Sequence, residues 1–197
     1  MFTDWLRKVF RGILQAIGAT LVRWHISANA LTVAGCLLNI GAAVIVALGN
    51  LRWGGVVLII ASACDALDGT VARAAGGETK FGAFLDSFLD RISESAVLIG
   101  LAWYYMGMPG RTEELLAYLA IVGSMLVSYA RARAEAIGIS CKGGLLTRVE
   151  RCMLLVVALL VGYPAPALWI LAIGTPLTAF YRAWVIYKNT QEQPAHP

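Results

Sequence analysis

Long apolar stretches separated by short polar segments run along most of this sequence. Each stretch is close to the roughly 20 residues that a helix needs to cross a bilayer core about 30 Å thick. We therefore predict six membrane-spanning helices, over residues 29–49, 53–75, 82–107, 113–137, 147–163 and 164–188. They form an all-α integral membrane domain over residues 25–190, and a polar tail follows over residues 191–197.

The first 24 residues have a different, amphipathic pattern. Apolar side chains recur at spacings of three and four from Phe2 to Ile17, and Arg7, Lys8 and Arg11 occupy the opposite face. Such a helix buries its apolar face at the membrane surface and keeps its cations near anionic lipid. We predict an amphipathic interfacial helix over residues 1–24. A cleavable signal peptide, the alternative, fits less well because basic residues interrupt the apolar stretch and a cleavage pattern is missing.

The composition excludes several other classes of protein. Of the 197 residues, 59% are hydrophobic and 14% are charged, whereas a soluble domain has about 45–50% apolar and about 25% charged residues. The four cysteines include no CxxC pair and are interpreted as apolar fillers, not as a zinc site or disulfides. The net charge of +4 does not indicate a nucleic-acid partner, because the cations cluster between apolar stretches.

The basic residues also predict an orientation, because Lys and Arg next to spans stay preferentially in the cytoplasm. An even number of spans places both termini on one side of the membrane. Fourteen of the sixteen basic residues fall on that side, and only Arg52 and Arg111 fall on the other. We predict a multi-pass protein of the cell (inner) membrane whose termini and chemical site face the cytoplasm.

Residues 64–94 carry four aspartates in apolar surroundings, at the end of the second predicted span and the start of the third: Asp65, Asp68, Asp86 and Asp90. Their spacing places each pair on one helix face, and antiparallel neighbours can turn these faces towards each other. An aspartate inside a span costs about 2.5–3.5 kcal/mol on insertion scales, so four of them need neutralisation. Carboxylates without His or Cys suit hard cations such as Mg²⁺ or Mn²⁺, and two ions would neutralise four charges.

Small residues and one cation share the aspartate faces. Gly69 and Ala72 lie beside the first pair of aspartates, and Gly82 lies beside the second pair. They leave room for a ligand near the backbone, and Arg73 at the rim suits a phosphate. Structural ion pairs and helix packing explain any one of these residues, but not the regular spacing of the whole set.

This segment resembles a known family. The run DALDGTVAR at residues 65–73, followed by Gly82, Asp86 and Asp90, matches the complete signature of the CDP-alcohol phosphotransferases without a substitution. The resemblance implies a six-span, dimeric enzyme that joins a CDP-activated lipid or alcohol to a hydroxyl acceptor and releases CMP. The signature extends over 26 residues and specifies eight of them.

The resemblance also implies roles for individual residues. The implied ligands of two magnesium ions, with manganese as an alternative metal, are Asp65, Asp68, Asp86 and Asp90. Asp90 is also implied to be the general base that takes the proton of the attacking hydroxyl. The residues implied to contact CDP are Gly69, Ala72, Arg73 and Gly82. Outside this set, we interpret Glu94 as a packing residue and His25 as an ordinary histidine near the interface.

A second polar segment, residues 128–151, ends the fourth predicted span and opens the fifth. Topology alone would place basic residues here. However, three spans each carry an arginine near the cytoplasmic side, and convergent guanidinium groups bind a phosphate dianion. The runs SYARARAE (128–135) and RVER (148–151) also resemble the phosphatidylinositol-phosphate synthase branch of the family. The predicted acceptor-phosphate residues are Arg131, Arg151 and Arg182, with Arg133 and Arg148 as further candidates.

One departure from the family lies at the start of the first span. Many relatives carry Thr-Pro-Asn there, whereas this chain carries Ser27, Ala28 and Asn29. A nucleotide role for Asn29 or Thr32 therefore stays open.

The sequence thus predicts a CDP-alcohol phosphatidyltransferase of phospholipid biosynthesis that transfers the phosphatidyl group from CDP-diacylglycerol to inositol phosphate. The predicted partners are these two substrates, membrane lipid and a second copy of the chain in a homodimer. A phosphatidylglycerol-phosphate synthase stays an alternative, because glycerol 3-phosphate also bears a phosphate. From a different class, a divalent-cation or proton transporter stays an alternative, because carboxylates inside a membrane also mark ion paths.

Overall fold

The computed structural model of the protein describes residues 16–77, 79–140, 143–144 and 146–192, without the side chain of Glu192. In this part of the chain every regular element is a helix. Residues 16–23 form α1. The remaining helices are α2 (Ala28–Ala47), α3 (Leu51–Ala74), α4 (Lys80–Met106), α5 (Thr112–Ala136), α6 (Arg148–Val161) and α7 (Ala165–Glu192).

The predicted helices correspond to α2–α7, and their ends lie within a few residues of the predicted positions. The all-helical class is confirmed for the described residues. Of the predicted interfacial helix, residues 1–15 lie outside the described part and residues 16–23 are helical. The predicted tail begins inside α7, and residues 193–197 lie outside the described part.

Four helices, α2, α3, α5 and α7, are long and apolar enough to cross a membrane. The other two differ from them for separate reasons. The first half of α4 is rich in charged residues, and α6 has only 14 residues. The chain is therefore a membrane protein by its helices, whereas the full count of six spans stays a prediction.

The described chain divides into two compact units, Met1–Gly100 and Leu101–Pro197. In the first unit, α2 packs against α3, and small residues let the helices approach closely. A Cβ atom on Gly54 of α3 would lie 3.3 Å from the carbonyl oxygen of Ala42, and one on Gly100 of α4 would overlap the backbone of Ala43. The antiparallel course of α2, α3 and α4 therefore brings the start of α2, the end of α3 and the start of α4 to one end of this unit.

The second unit is built on α7, which packs against α5 and α6. A Cβ atom on Gly123 of α5 would overlap the side chain of Thr175 in α7, so these two helices lie in close contact. A capping box begins α6, in which the Thr147 N–H donates to Glu150 Oε2 at 2.7 Å. Gly162, with φ +83°, ends α6 in the left-handed conformation that favours glycine.

Candidate active site

Three helix ends surround the candidate site in the first unit. The N-cap of α2 is Ser27, whose hydroxyl oxygen accepts a hydrogen bond from the Ala30 N–H at 3.2 Å. At the end of α3, Gly76 and Gly77 have φ values of +104° and +121°, so the chain turns where side chains would be strained. At the start of α4, the Gly82 N–H donates to Thr79 Oγ1 at 2.9 Å.

A pocket of about 440 Å³ opens where these ends meet. Asp68 of α3 and Asp86 of α4 both line it. The small residues Gly69, Ala72 and Gly82 line it as well, so parts of its wall are bare backbone. This volume is in the range of pockets that hold small-molecule ligands and cofactors. Two of the four predicted metal ligands and three of the four predicted CDP contacts thus share one pocket.

Asp68 is held in place by a neighbouring helix. It is 7% exposed, and its Oδ2 lies 2.9 Å from Oγ1 of Thr32 in α2. The same hydroxyl lies 3.0 Å from the carbonyl oxygen of Ala28. The Thr32 side chain is therefore positioned to orient the Asp68 carboxylate, and the sequence left its role open.

The other two aspartates lie along the same helices but do not line the pocket. Asp65 lies against α2, because a Cβ atom on Gly35 would be 2.6 Å from Asp65 Oδ1. Asp90 is 8% exposed, and its Oδ2 lies 3.8 Å from Nη1 of Arg91. Among the described residues, no group of three or more His, Cys, Asp or Glu side chains lies close enough to hold a single ion. Asp65 and Asp68 are neighbours along α3, and Asp86 and Asp90 are neighbours along α4. Of these four residues, Asp68 and Asp86 share the pocket.

Arg73 and Gly82 have different surroundings. The Arg73 guanidinium Nη2 donates to Thr70 Oγ1 at 3.2 Å, and Nη1 lies 3.4 Å from the position of a Cβ atom on Gly69. The Arg73 side chain therefore lies along α3, and Arg73 is not among the pocket-lining residues. A Cβ atom on Gly82 would be 3.1 Å from Asn29 Oδ1, so glycine there lets the Asn29 amide approach α4.

Sequence reasoning left the roles of Asn29 and Thr32 open and interpreted His25 as an ordinary histidine, and all three residues line the pocket. Asn29 and Thr32 are three residues apart, which places them on one face of α2, and this spacing was the available signal. His25 precedes the helix and has a left-handed backbone with φ +56°. Helical periodicity contains no information about a residue in such a link.

Two of the predicted acceptor-phosphate residues are buried in the second unit. Arg182 is 4% exposed, and it donates from Nη1 to the Val127 carbonyl at 2.7 Å and from Nε to the Gly143 carbonyl at 3.0 Å. Arg151 is 2% exposed, and it donates from Nη1 to the Leu146 carbonyl at 3.0 Å. Both guanidinium groups therefore contact the segment that connects α5 and α6.

The other three arginines are more accessible. Arg131 is half exposed, and its Nε donates to Glu135 Oε1 at 2.9 Å, one turn further along α5. Arg133 is exposed near the end of the same helix, and Arg148 is partly exposed at the first residue of α6. The structure thus brings Arg151 and Arg182 to one segment and places Arg131 and Arg133 on accessible positions of α5.

The chain is similar to known proteins over most of its length. The sequence model of the CDP-alcohol phosphatidyltransferase family matches residues 25–180. The phosphatidylinositol phosphate synthase of Corynebacterium glutamicum is 35% identical over 192 residues, which cover 93% of this chain and 88% of that protein. The archaetidylinositol phosphate synthase of Pyrococcus horikoshii is 34% identical over 187 residues, which cover 94% of this chain and 97% of that protein.

Solved structures of one enzyme are similar over nearly the whole chain. A crystal structure of Mycobacterium tuberculosis phosphatidylinositol phosphate synthase with CDP-DAG bound has a TM-score of 0.87 and 30% identity. The match covers 94% of this chain and 98% of that chain. A second crystal structure, in complex with manganese and citrate, has a TM-score of 0.86 and 30% identity, and the match covers 93% of each chain.

Proposed function

Because this chain belongs to the CDP-alcohol phosphatidyltransferase family, we propose that it transfers the phosphatidyl group of CDP-diacylglycerol to inositol phosphate. The products are phosphatidylinositol phosphate and CMP. Relatives named as inositol phosphate lipid synthases support the acceptor, and the similar enzyme with bound CDP-DAG supports the donor. The observation in this chain that carries the proposal is the pocket that Asp68 and Asp86 share.

The carboxylate oxygens of α3 and α4 are donors of the chemical type that a hard divalent cation prefers. Asp68 and Asp86 line the pocket, and Asp65 and Asp90 each lie one helical turn from one of them. We assign these four carboxylates as the ligands of two ions, Mg²⁺ or Mn²⁺, and the similar enzyme in complex with manganese supports the choice of metal. Bound divalent cations withdraw negative charge from a diphosphate and from its leaving oxygen.

The pocket also has room for the diphosphate of the donor. Gly69, Ala72 and Gly82 keep side chains out of its wall, so phosphate oxygens can approach the backbone closely. Arg73 lies next to Gly69 and brings a permanent positive charge to this end of α3. We assign these four residues as the contacts of CDP.

Asp90 is the proposed general base. It is buried, and it lies one turn of α4, about 6 Å along the helix axis, beyond Asp86. Asp90 takes the proton of the acceptor hydroxyl while the hydroxyl oxygen attacks the β-phosphorus of the donor. The bond from this phosphorus to the oxygen of the α-phosphate breaks, and CMP leaves with the bonding electrons.

We assign the acceptor phosphate to the arginines of the second unit. The buried guanidinium groups of Arg151 and Arg182 concentrate positive charge at the segment that connects α5 and α6, and Arg182 lies next to Gly143 and Gly144, where the backbone carries no side chains. Such charge suits a phosphate dianion better than an uncharged alcohol. Further candidates for the same role are Arg131, Arg133 and Arg148.

The membrane arrangement is part of the proposal. The helices α2–α7 cross the cell membrane six times, both termini face the cytoplasm, and two copies of the chain form a homodimer. The four helices that are long and apolar enough to span, together with the distribution of basic residues, support this arrangement.

Release of CMP by the purified protein tests the proposed function. In detergent micelles with CDP-diacylglycerol and Mg²⁺, we expect release with inositol phosphate and little or none with inositol or glycerol 3-phosphate. Turnover with glycerol 3-phosphate alone would make the protein a phosphatidylglycerol-phosphate synthase. If no acceptor supports release, but liposomes containing the protein pass divalent cations without CDP-lipid, the protein is a transporter.

A further inference from the structure

His25 has an unusual backbone conformation at the edge of the candidate active site. Its φ is +56°, and in the described part of the chain it is the only residue other than glycine with a positive φ. A Cβ atom makes the left-handed region unfavourable, although histidine is found there more often than most residues. Such outliers concentrate at functional sites, because the surrounding structure must hold them in place.

The strain arises from the way α1 ends. The Ile26 N–H donates to the Leu21 carbonyl at 3.0 Å, and the His25 N–H donates to the Val22 carbonyl at 3.0 Å. This pair of bonds is a Schellman motif, and the left-handed position within it is usually glycine. A glycine at position 25 would make the same turn without the strain, so the turn itself does not require an imidazole.

The α1–α2 link is fixed against the rest of the first unit. A Cβ atom on Gly18 of α1 would lie 2.9 Å from Cγ2 of Thr70 in α3, so these two helices are in close contact. On the other side of the link, Ser27 caps the start of α2. Both ends of the link are therefore attached to helices that surround the pocket, and the position of His25 is determined by them.

The His25 side chain is available to a ligand. It is exposed and lines the pocket together with the apolar side chains of Val22 and Ile26. The planar imidazole and these apolar neighbours supply a surface that suits a heteroaromatic ring. The turn at position 25 does not require the imidazole, but the imidazole can contact a ligand in the pocket.

The pocket extends from the aspartates to this surface. Along α3, Ala72 and Ala75 also line it and lie about 6 and about 10 Å beyond Asp68 along the helix axis, towards the end of α3. The α1–α2 link precedes α2, and the start of α2 is next to the end of α3 in this unit. A nucleotide whose diphosphate lies beside Asp68 and Asp86 therefore has room for its nucleoside at the end of the pocket formed by the link.

We propose that His25 binds the nucleoside part of the cytidine diphosphate donor. This inference rests on the proposed function, because it takes the diphosphate of the donor to lie at the aspartates. It gives His25 a binding role that an ordinary histidine near the interface would not have. The contact with the donor also explains why a histidine, and not a glycine, occupies this strained left-handed position.

Two substitutions separate the side chain from the backbone. His25→Gly removes the imidazole and relieves the strain, whereas His25→Ala removes the imidazole and keeps a Cβ atom at the left-handed position. Trp24→Ala is the matched control, because Trp24 is 70% exposed and is not among the pocket-lining residues. For each variant, the measurements are CMP affinity by calorimetry, KM for CDP-diacylglycerol, kcat and the midpoint of thermal unfolding.

We expect both His25 variants to bind CMP about tenfold more weakly and to raise the KM for CDP-diacylglycerol by a similar factor. The kcat should stay within about twofold, and Trp24→Ala should bind CMP as the wild type does. His25→Gly should also raise the unfolding midpoint by roughly 2–4 °C, and His25→Ala should not. If His25 had a purely structural role, His25→Gly would not bind CMP more weakly while it unfolds at a higher temperature.

Three results would overturn the inference. They are wild-type CMP affinity in His25→Gly, weakened binding in His25→Ala alone, and loss of kcat at unchanged CMP affinity. The proposed function is tested separately, by CMP release from CDP-diacylglycerol by the wild-type protein. If that release failed while both variants still lost CMP affinity, only the proposed function would be wrong.

Discussion

In the first unit, Asp68 and Asp86 line an open pocket, whereas in the second unit Arg151 and Arg182 are buried and donate to main-chain carbonyls. The carboxylates are arranged around a space, and the arginines are arranged around a segment of the chain. A substitution in the first set should therefore remove chemistry and leave the fold nearly intact. A substitution of a buried arginine should reduce both ligand binding and stability, because it also removes hydrogen bonds from the guanidinium group to main-chain carbonyls.

The largest effect that we expect comes from Asp90→Asn. The amide is nearly isosteric but cannot take a proton, so kcat should fall by about 100- to 10,000-fold. Binding of CMP should change little because Asp90 does not line the pocket, and the thermal midpoint should change little because the amide keeps the shape of the carboxylate. Calorimetry with CMP and a turnover assay on the same preparation check this. A variant that keeps more than a tenth of the wild-type kcat would remove Asp90 from the role of general base.

Arg182→Ala should reduce both stability and acceptor binding, as expected for a buried arginine of the second unit. Loss of donors to the Val127 and Gly143 carbonyls should cost about 2–4 kcal/mol of unfolding free energy. The KM for inositol phosphate should rise by about 10- to 100-fold, with the KM for CDP-diacylglycerol nearly unchanged. Arg182→Lys keeps the charge without the planar guanidinium group, so its KM for inositol phosphate should lie between those of the wild type and Arg182→Ala. An unchanged acceptor KM, measured below the unfolding transition, would make Arg182 a purely structural residue.

Thr32→Val should affect the carboxylate site without removing a carboxylate. Valine keeps the shape of threonine and removes the hydroxyl that lies 2.9 Å from Asp68 Oδ2. Loss of an outer partner of a metal ligand weakens metal affinity by about 10- to 100-fold, and we expect the lower value here. The readout is the Mg²⁺ concentration at half-maximal activity, with Thr190→Val on α7 as a control. Equal Mg²⁺ dependence in all three proteins would show that Thr32 does not orient Asp68 for metal binding.

The helix bounds and the aspartate faces could be predicted from the sequence because they depend on spacing within one helix. Asp65, Asp68, Asp86 and Asp90 follow helical periodicity, and so do the small residues beside them. The contact of Thr32 with Asp68 joins two helices across 36 residues, and no local pattern encodes it. For the same reason, the sequence predicted an arginine at position 182 near a phosphate but not its bond to the Gly143 carbonyl, 39 residues away.

Arg131→Ala should have the smallest effect. This arginine is half exposed and pairs with Glu135 one turn away, and such surface pairs contribute about 0.3–0.5 kcal/mol. We expect about a threefold rise in the KM for inositol phosphate and no measurable loss of stability. A rise as large as that of Arg182→Ala would move the centre of the acceptor site to the exposed arginines of α5.

Binding of Mn²⁺, followed by electron paramagnetic resonance, tests the central claim most directly, because it reports metal without requiring turnover. The wild-type protein and Arg182→Ala should bind Mn²⁺ alike in the presence of CMP, below the unfolding transition of the variant. The double variant Asp68→Asn, Asp86→Asn should lose at least about 100-fold in Mn²⁺ affinity while it remains folded. Mn²⁺ affinity that survived in this double variant, or that fell instead in Arg182→Ala, would contradict the assignment of the metals to the carboxylates of α3 and α4.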